Sequence, residues 1–180
     1  HAGKWPEKTR DRSQLICRMT RSDWNFSDLR VNFFDLPGER LADGAMLGRS
    51  YEQWSDLQFE RVHSDTPYRN CCEPFLSLES RTEASESELI NAYKHSLANL
   101  ILSYKPFITP STFLLDAHGS IARERSAEEL IKTRLSGMTA GQEFVPLSSK
   151  QRASNPVLSE LFSARFRSYR DELIMPYFKA

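Results

Sequence analysis

Leu29-Arg30-Val31-Asn32-Phe33-Phe34-Asp35-Leu36-Pro37-Gly38-Glu39 is the stretch on which the fold turns. Leu29, Val31 and Phe33 alternate with Arg30 and Asn32, the period-two pattern of a strand with one apolar face. The strand runs into a carboxylate, Asp35, and then into Pro37-Gly38, which stop it. Upstream, residues 14–21 (Gln-Leu-Ile-Cys-Arg-Met-Thr-Arg) have the composition of a half-buried strand, and the turn-rich Ser22-Asp23-Trp24-Asn25-Phe26-Ser27-Asp28 lies between. The two runs are close enough to pair as an antiparallel hairpin. Downstream, a helix is expected from near Ala42 or Arg49 to about His63, with Leu47, Tyr51, Trp54, Leu57 and Phe59 as its apolar side.

The remaining chain predicts mostly helix. Residues 64–79 hold Pro67 and Pro74 and are expected as loop or broken helix. Residues 80–103 carry Leu89, Ala92, Tyr93, Leu97, Leu100 and Ile101 at spacings of three and four, behind the cap-like Ser85-Glu86-Ser87-Glu88. Residues 111–115 suit a short strand or buried loop and residues 116–119 a turn. Ser126 with Glu129 makes a capping box for a short helix over 126–135. Residues 136–156 are expected as loop with an apolar patch, Phe144-Val145-Pro146-Leu147. Pro156 opens a last helix to about residue 174, capped by Ser154 or Asn155 and striped by Leu158, Leu161, Phe162, Phe166, Tyr169 and Leu173.

Composition bounds the class. The 180 residues are 39% hydrophobic, which supports a packed core and excludes wholesale disorder. No apolar run approaches the roughly 18–20 residues of a membrane helix. Lys+Arg and Asp+Glu are equal at 24 each, so no overall basic excess advertises nucleic acid. The charge is unevenly spread. Residues 35–90 carry twelve acidic and five basic residues, and residues 120–180 ten basic and seven acidic. Solvated helical faces account for the acidic block, and a cationic partner is the alternative. The opening His1-Ala2-Gly3-Lys4-Trp5-Pro6 lacks an initiator Met and a secretory signal, and predicts a processed protein, a cloned domain or a proteolytic piece.

Cys17, Cys71 and Cys72 form neither CxxC nor a zinc spacing, and vicinal cysteines rarely bridge, so three free thiols in a reducing compartment are expected. His63, His95 and His118 lack HExxH spacing, no serine sits in GxSxG, and the arginines at 165, 167 and 170 suit a solvated helix face.

The chemistry concentrates where the hairpin ends. Strand, Asp35-x-x-Gly38, then helix resembles the corresponding element of P-loop GTPases. There an aspartate at the strand end holds Mg²⁺ through a water, a glycine N–H approaches the γ-phosphate, and the next residue orients the attacking water. Glu39 occupies that last place. Four residues alone equally fit a strand-to-helix turn that uses Pro and Gly for geometry. Thr9, ahead of the hairpin, stands where such proteins carry a Mg²⁺-binding switch threonine, and a solvated loop threonine is the other reading.

Longer stretches narrow the resemblance. Lys4-Trp5-Pro6 precedes the hairpin; Phe34-Asp35-Leu36-Pro37-Gly38-Glu39-Arg40-Leu41-Ala42-Asp43 and Leu47-Gly48-Arg49-Ser50-Tyr51-Glu52-Gln53-Trp54-Ser55 follow it. Together they are similar to the YcjX-like P-loop NTPase family, whose hairpin runs into D-x-P-G-E-W-L-L-D and a helix ending in a W-S pair. Residues 105–115, the Phe144–Leu147 patch, and Phe162–Arg170 with Ile174-Met175-Pro176-Tyr177-Phe178 resemble later family segments in the same order. Arg40 replaces the family's usual Trp and Leu36 its frequent Tyr. Neither GxxxxGK[ST] nor [NT]KxD occurs in the 180 residues. The family's phosphate-gripping motif lies upstream of the Trp-Pro segment, so the chain resembles the middle of such a protein.

The resemblance implies an α/β fold: the β-hairpin and switch region of a P-loop NTPase domain over residues 1–63, followed by a mainly α-helical insertion over residues 64–180. It implies hydrolysis of GTP or ATP with Mg²⁺, in a bacterial stress context, in the cytoplasm or peripherally at the inner membrane. Asp35 takes the metal role, Gly38 and Thr9 the nucleotide and Glu39 catalysis. Partners are then a nucleotide, with a further protein or self-association open, and neither nucleic acid nor a transmembrane segment. Two other classes remain: a catalytically silent helical interaction module, and a thioredoxin-like assembly factor suggested by Thr109-Pro110-Ser111-Thr112 ahead of an apolar run, though without the CxxC that fold uses.

Overall fold

The computed structural model describes residues 13–35, 38–81, 83–104 and 126–178, with residues 38–40 described in their backbone only. Thr9, Leu36, Pro37, the 105–115 segment with Pro110, and His118 lie outside these residues.

Strand β1 (Ser13–Met19) pairs antiparallel with β2 (Leu29–Asp35), in the register Leu15 with Phe33, Cys17 with Val31 and Met19 with Leu29. The predicted hairpin forms, and the alternating residues fall on one face. That face is largely open: Leu15, Met19 and Phe33 are each at least half exposed. On the other face Arg18 sits opposite Arg30, and Asp28 offsets the like charges with a 3.1 Å bond to Arg18.

Helix α1 (Gly38–Asp43) comes next and passes into a 3-10 turn, Gly44–Met46. Gly48, at φ +72°, reverses the chain in a conformation that a Cβ would strain. Ser50 then caps α2 (Tyr51–Ser64) in a full capping box with Gln53. The buried side of α2 is Tyr51, Trp54, Ser55, Gln58, Phe59 and Val62; Leu57, expected there, lies at its edge. Trp54-Ser55 is mid-helix, not terminal.

The two prolines expected to break residues 64–79 instead start helices. Asp65 caps α3 (Thr66–Cys71) with Pro67 in its first turn, and Pro74 stands in the first turn of α4 (Glu73–Leu76). Helix α5 (Glu86–Asn99), capped by a Ser85–Glu88 box, widens into a π-helical turn, Leu100–Tyr104. Helix α6 (Ala127–Thr133) has Ser126 as its cap, accepting from Glu129 N, and only this half of the predicted box is present. Within the expected loop of 136–156 there is a helix, α7 (Ser149–Ser154). Its Ser-Lys-Gln-Arg-Ala-Ser sequence has no apolar periodicity, and the Ser148–Gln151 box that starts it was the available sign.

Asn155 caps α8 (Pro156–Ser168), which continues through a π-helical turn (Tyr169–Ile174) into α9 (Met175–Phe178). Leu158, Phe162, Phe166 and Tyr169 are buried at the predicted spacing, but the next buried residue is Ile174, fully enclosed, while Leu173 is 42% exposed. A π-turn holds one residue more than an α-turn, so the buried position moves from i+4 to i+5.

The core centres on aromatic rings from three segments. Trp54 lies 5.5 Å from Phe144 and 5.4 Å from Phe166, and Phe144 is 5.6 Å from Tyr169. Between α2 and α8 runs the 143–148 segment, buried throughout. A buried loop must find partners for its backbone, and here side chains supply them. Tyr51 donates to Val145 O at 2.6 Å, Arg152 to Leu147 O at 2.5 Å and Arg165 to Glu143 O at 2.8 Å, while Leu147 N donates to Ser55 Oγ at 3.3 Å.

Phe144→Ala should therefore lower unfolding free energy by about 3–5 kcal/mol, because the rings around it cannot close the space. Val157→Ala, at an 80% exposed position, should change it by less than about 0.5 kcal/mol. Urea denaturation followed by circular dichroism separates the two; a Phe144→Ala loss under about 1 kcal/mol would show that this ring is not central to the core.

Candidate functional site

The hairpin places Asp35 as the last residue of β2, across from Ser13 and exposed to solvent. Two residues intervene before Gly38 opens α1, and Glu39 stands in that helix's first turn. The strand-to-helix junction thus spans the Asp35-x-x-Gly38-Glu39 stretch singled out from the sequence. Thr9 lies outside the described residues, so its relation to this junction is not part of the geometry.

The chain beyond the junction is held tightly. Asp43, the last residue of α1, is fully buried, and its carboxylate accepts a hydrogen bond from the Tyr169 hydroxyl. The contact joins residues 126 apart in sequence. Gly44 packs on the ring of Phe178: a methyl group built on Gly44 would lie 3.0 Å from Phe178 Cζ. Met46 is fully enclosed. Arg170 then donates through Nη1 to Arg49 O at 2.7 Å. Residues 43–49 therefore rest on the 169–178 part of the last helix. A buried carboxylate is costly unless hydrogen-bonded, which makes Asp43 the most demanding group in this region. The sequence places Tyr169 in the apolar stripe of the last helix and Asp43 in the family-like segment after the hairpin, but assigns neither a role at the site. The only available sign was an acidic residue closing the Asp35–Asp43 segment just before the apolar Ala45-Met46.

Charged residues are also used internally, among them Arg165, Glu86 and Asp56, which were expected on solvated faces. Arg165 pairs with Glu86 at 2.6 Å, Arg152 with Asp56 at 2.7 Å, and Lys94 with Glu143, in each case with one or both partners largely shielded. For Glu86 and Asp56, the cationic partner of the acidic block is the chain's own basic C-terminal third. Arg167, 55% exposed in its side chain, remains at the surface as predicted.

The vicinal cysteines are buried at the α3–α4 junction, with Cys71 O accepting from Asn99 Nδ2 at 3.3 Å. Burial pushes the Cys72 thiol up to about 12 and raises that of Cys71. Both are therefore neutral, poorly nucleophilic thiols near physiological pH. Among the described residues no three of His, Cys, Asp and Glu come together as a metal cage, and no helix is long and apolar enough to cross a membrane.

These features define a mixed helix-and-strand protein in which a strand ends in an exposed aspartate and the glycine-led helix that follows is anchored through Asp43 on a helical body. The model of the YcjX-like family, DUF463, matches residues 1–180, so the chain belongs to that family. No curated protein matches it.

The cysteine environment gives a direct test. At pH 8 the native chain should expose one rapidly reacting thiol, the half-buried Cys17 of the hairpin, and three after denaturation. Rapid modification of Cys71 or Cys72 in the folded chain, read by mass spectrometry, would contradict their burial.

Proposed function

We propose that the chain forms the switch-bearing part of a nucleoside triphosphatase acting on GTP or ATP with Mg²⁺. The observation that carries this reading is that β2 ends at Asp35 and α1 begins at Gly38, so the aspartate and glycine stand on either side of one strand-to-helix junction. Family membership supports it. So does the hairpin's open apolar face, since a two-stranded hairpin is marginal in water and suits incorporation in a larger sheet.

Mg²⁺ is commonly held by one or two carboxylates together with substrate phosphates, and an exposed strand-end carboxylate fits that donor set. Asp35 would supply the oxygen, and the bound ion would neutralise charge on the phosphates. Gly38, lacking Cβ, lets its backbone N–H come close to a γ-phosphate. Glu39 orients the water that adds to the γ-phosphorus as the bond to the β–γ bridging oxygen breaks. Its own charge faces like-charge repulsion from the phosphates, which Mg²⁺ or a neighbouring cation such as Arg40 offsets. GxxxxGK[ST] is not among the 180 residues, so under this reading the residues described above do not by themselves supply the grip on the phosphates. A cytoplasmic or membrane-peripheral stress role belongs to the same reading.

In the full-length protein, Glu39→Gln should slow single-turnover hydrolysis on the order of 10²-fold, roughly 2.7 kcal/mol in the barrier, with nucleotide affinity equal or slightly tighter. Asp35→Asn should instead weaken Mg²⁺-dependent binding. An unchanged rate for Glu39→Gln returns the segment to a turn that uses Pro and Gly for geometry. Titration calorimetry of the 180-residue chain alone should show no micromolar binding of Mg-GTP or Mg-ATP.

A further inference from the structure

We propose that Asp43 and Tyr169 are positioning residues for this hydrolysis: their buried hydrogen bond fixes the Gly38–Asp43 helix on the last helix and so sets where Glu39 stands. The inference rests on the nucleotide-hydrolysis reading above and adds to it the part of the helical body that governs the switch. Three observations converge. Asp43 is four residues after Glu39, one helical turn, so anchoring Asp43 sets the backbone of the turn that carries Glu39. The anchor is a carboxylate with no solvent exposure, bonded to a hydroxyl from the far end of the chain. The same stretch is gripped twice more from the same platform, by Phe178 against Gly44 and by Arg170 on Arg49 O.

The platform has its own local geometry. Tyr169 opens the π-helical turn Tyr169–Ile174. This turn advances the buried position to Ile174, and α9 leaves it with Phe178 set against Gly44. A regular α-helix through these residues would bury Leu173 and present α9 in another phase. A hydrogen bond to a carboxylate is strong in a low-dielectric interior, so breaking the Tyr169–Asp43 bond is costly and the contact favours one arrangement. A small displacement of a water-orienting group is costly to rate while leaving ground-state affinity nearly untouched. The pair therefore acts on turnover, through Glu39, and touches neither nucleotide nor metal.

The test uses the full-length gene product with Mg-GTP and Mg-ATP, measuring kcat, nucleotide affinity and amide hydrogen exchange over residues 41–49. Tyr169→Phe removes only the hydroxyl. It should lower kcat about tenfold with affinity within about twofold, and speed exchange in 41–49 at least about tenfold. Asp43→Asn keeps a carbonyl oxygen that can accept from Tyr169, and should retain kcat within about threefold. Phe178→Leu loosens the same stretch without disturbing a buried charge, and should lower kcat in the same direction even if Tyr169→Phe fails to fold. Two results overturn the latch alone: a Tyr169→Phe kcat within about twofold of wild type while Glu39→Gln is slow, or equal losses of kcat and affinity in Phe178→Leu. Absence of micromolar nucleotide binding by the wild-type full-length protein overturns the triphosphatase reading and the latch with it; exchange over 41–49 then still reports whether the contact holds that stretch.

Discussion

The buried strap at 143–148 is the constraint on which the helical body depends. Six consecutive residues without regular hydrogen-bonded structure cross the interior, and side chains from the surrounding helices satisfy their backbone. Tyr51 and Ser55 reach it from α2, Arg152 from α7 and Arg165 from α8. Each of those helices is thereby fixed relative to the same short segment. Phe144 fills the space between Trp54 and Phe166, so polar satisfaction and ring packing specify one arrangement together. Burial of the Tyr51 phenol pushes its ionisation far above the ordinary range, so it remains a donor to Val145 O at all ordinary pH.

From that centre the last helix extends in two roles. Its first half, Leu158 to Phe166, closes the core against α2 and the strap. Its second half, from Tyr169 on, turns outward to receive the segment after the hairpin. The hairpin itself contributes little to the core, and its apolar face is open. The protein thus joins a rigid, aromatic-packed body to a hairpin whose stability must come from other packing, with residues 43–49 as the connection. Chemistry proposed for Asp35, Gly38 and Glu39 sits at the boundary between the two regimes, where motion is compatible with a stable body.

Much of this was legible in the residues. The hairpin came from Leu29, Val31 and Phe33 alternating with polar residues, and α5 and α8 from apolar spacings of three and four, while the register of the two strands was not legible. Two kinds of feature escaped. Short helices α3, α4 and α7 form from caps and first-turn prolines, local signals that apolar periodicity does not contain. Long-range pairing was the other: Arg165 with Glu86, Arg152 with Asp56 and Tyr169 with Asp43 join residues scores of positions apart, and no local pattern marks a charged side chain as internal. Leu173 was placed in the core because an α-helical period carried Tyr169 forward by four; the π-turn made the step five. For the candidate site, the Asp35–Glu39 stretch was visible in sequence, while the structure that holds it was not.

That extra residue has a consequence for how the chain tolerates change. A helix that carries a π-turn is an α-helix with one residue inserted, and everything beyond the insertion is rotated by about 100° from where an uninterrupted helix would put it. Met175–Phe178 lie beyond it. Deleting one residue among Arg170–Leu173 would let the turn close to a regular α-turn, with Ile174 then four places after Tyr169, and would leave Phe178 against Gly44. The π-turn is thus the place in this helix where a change of length by one residue can be absorbed, whereas a substitution at Arg170 removes its bond to Arg49 O.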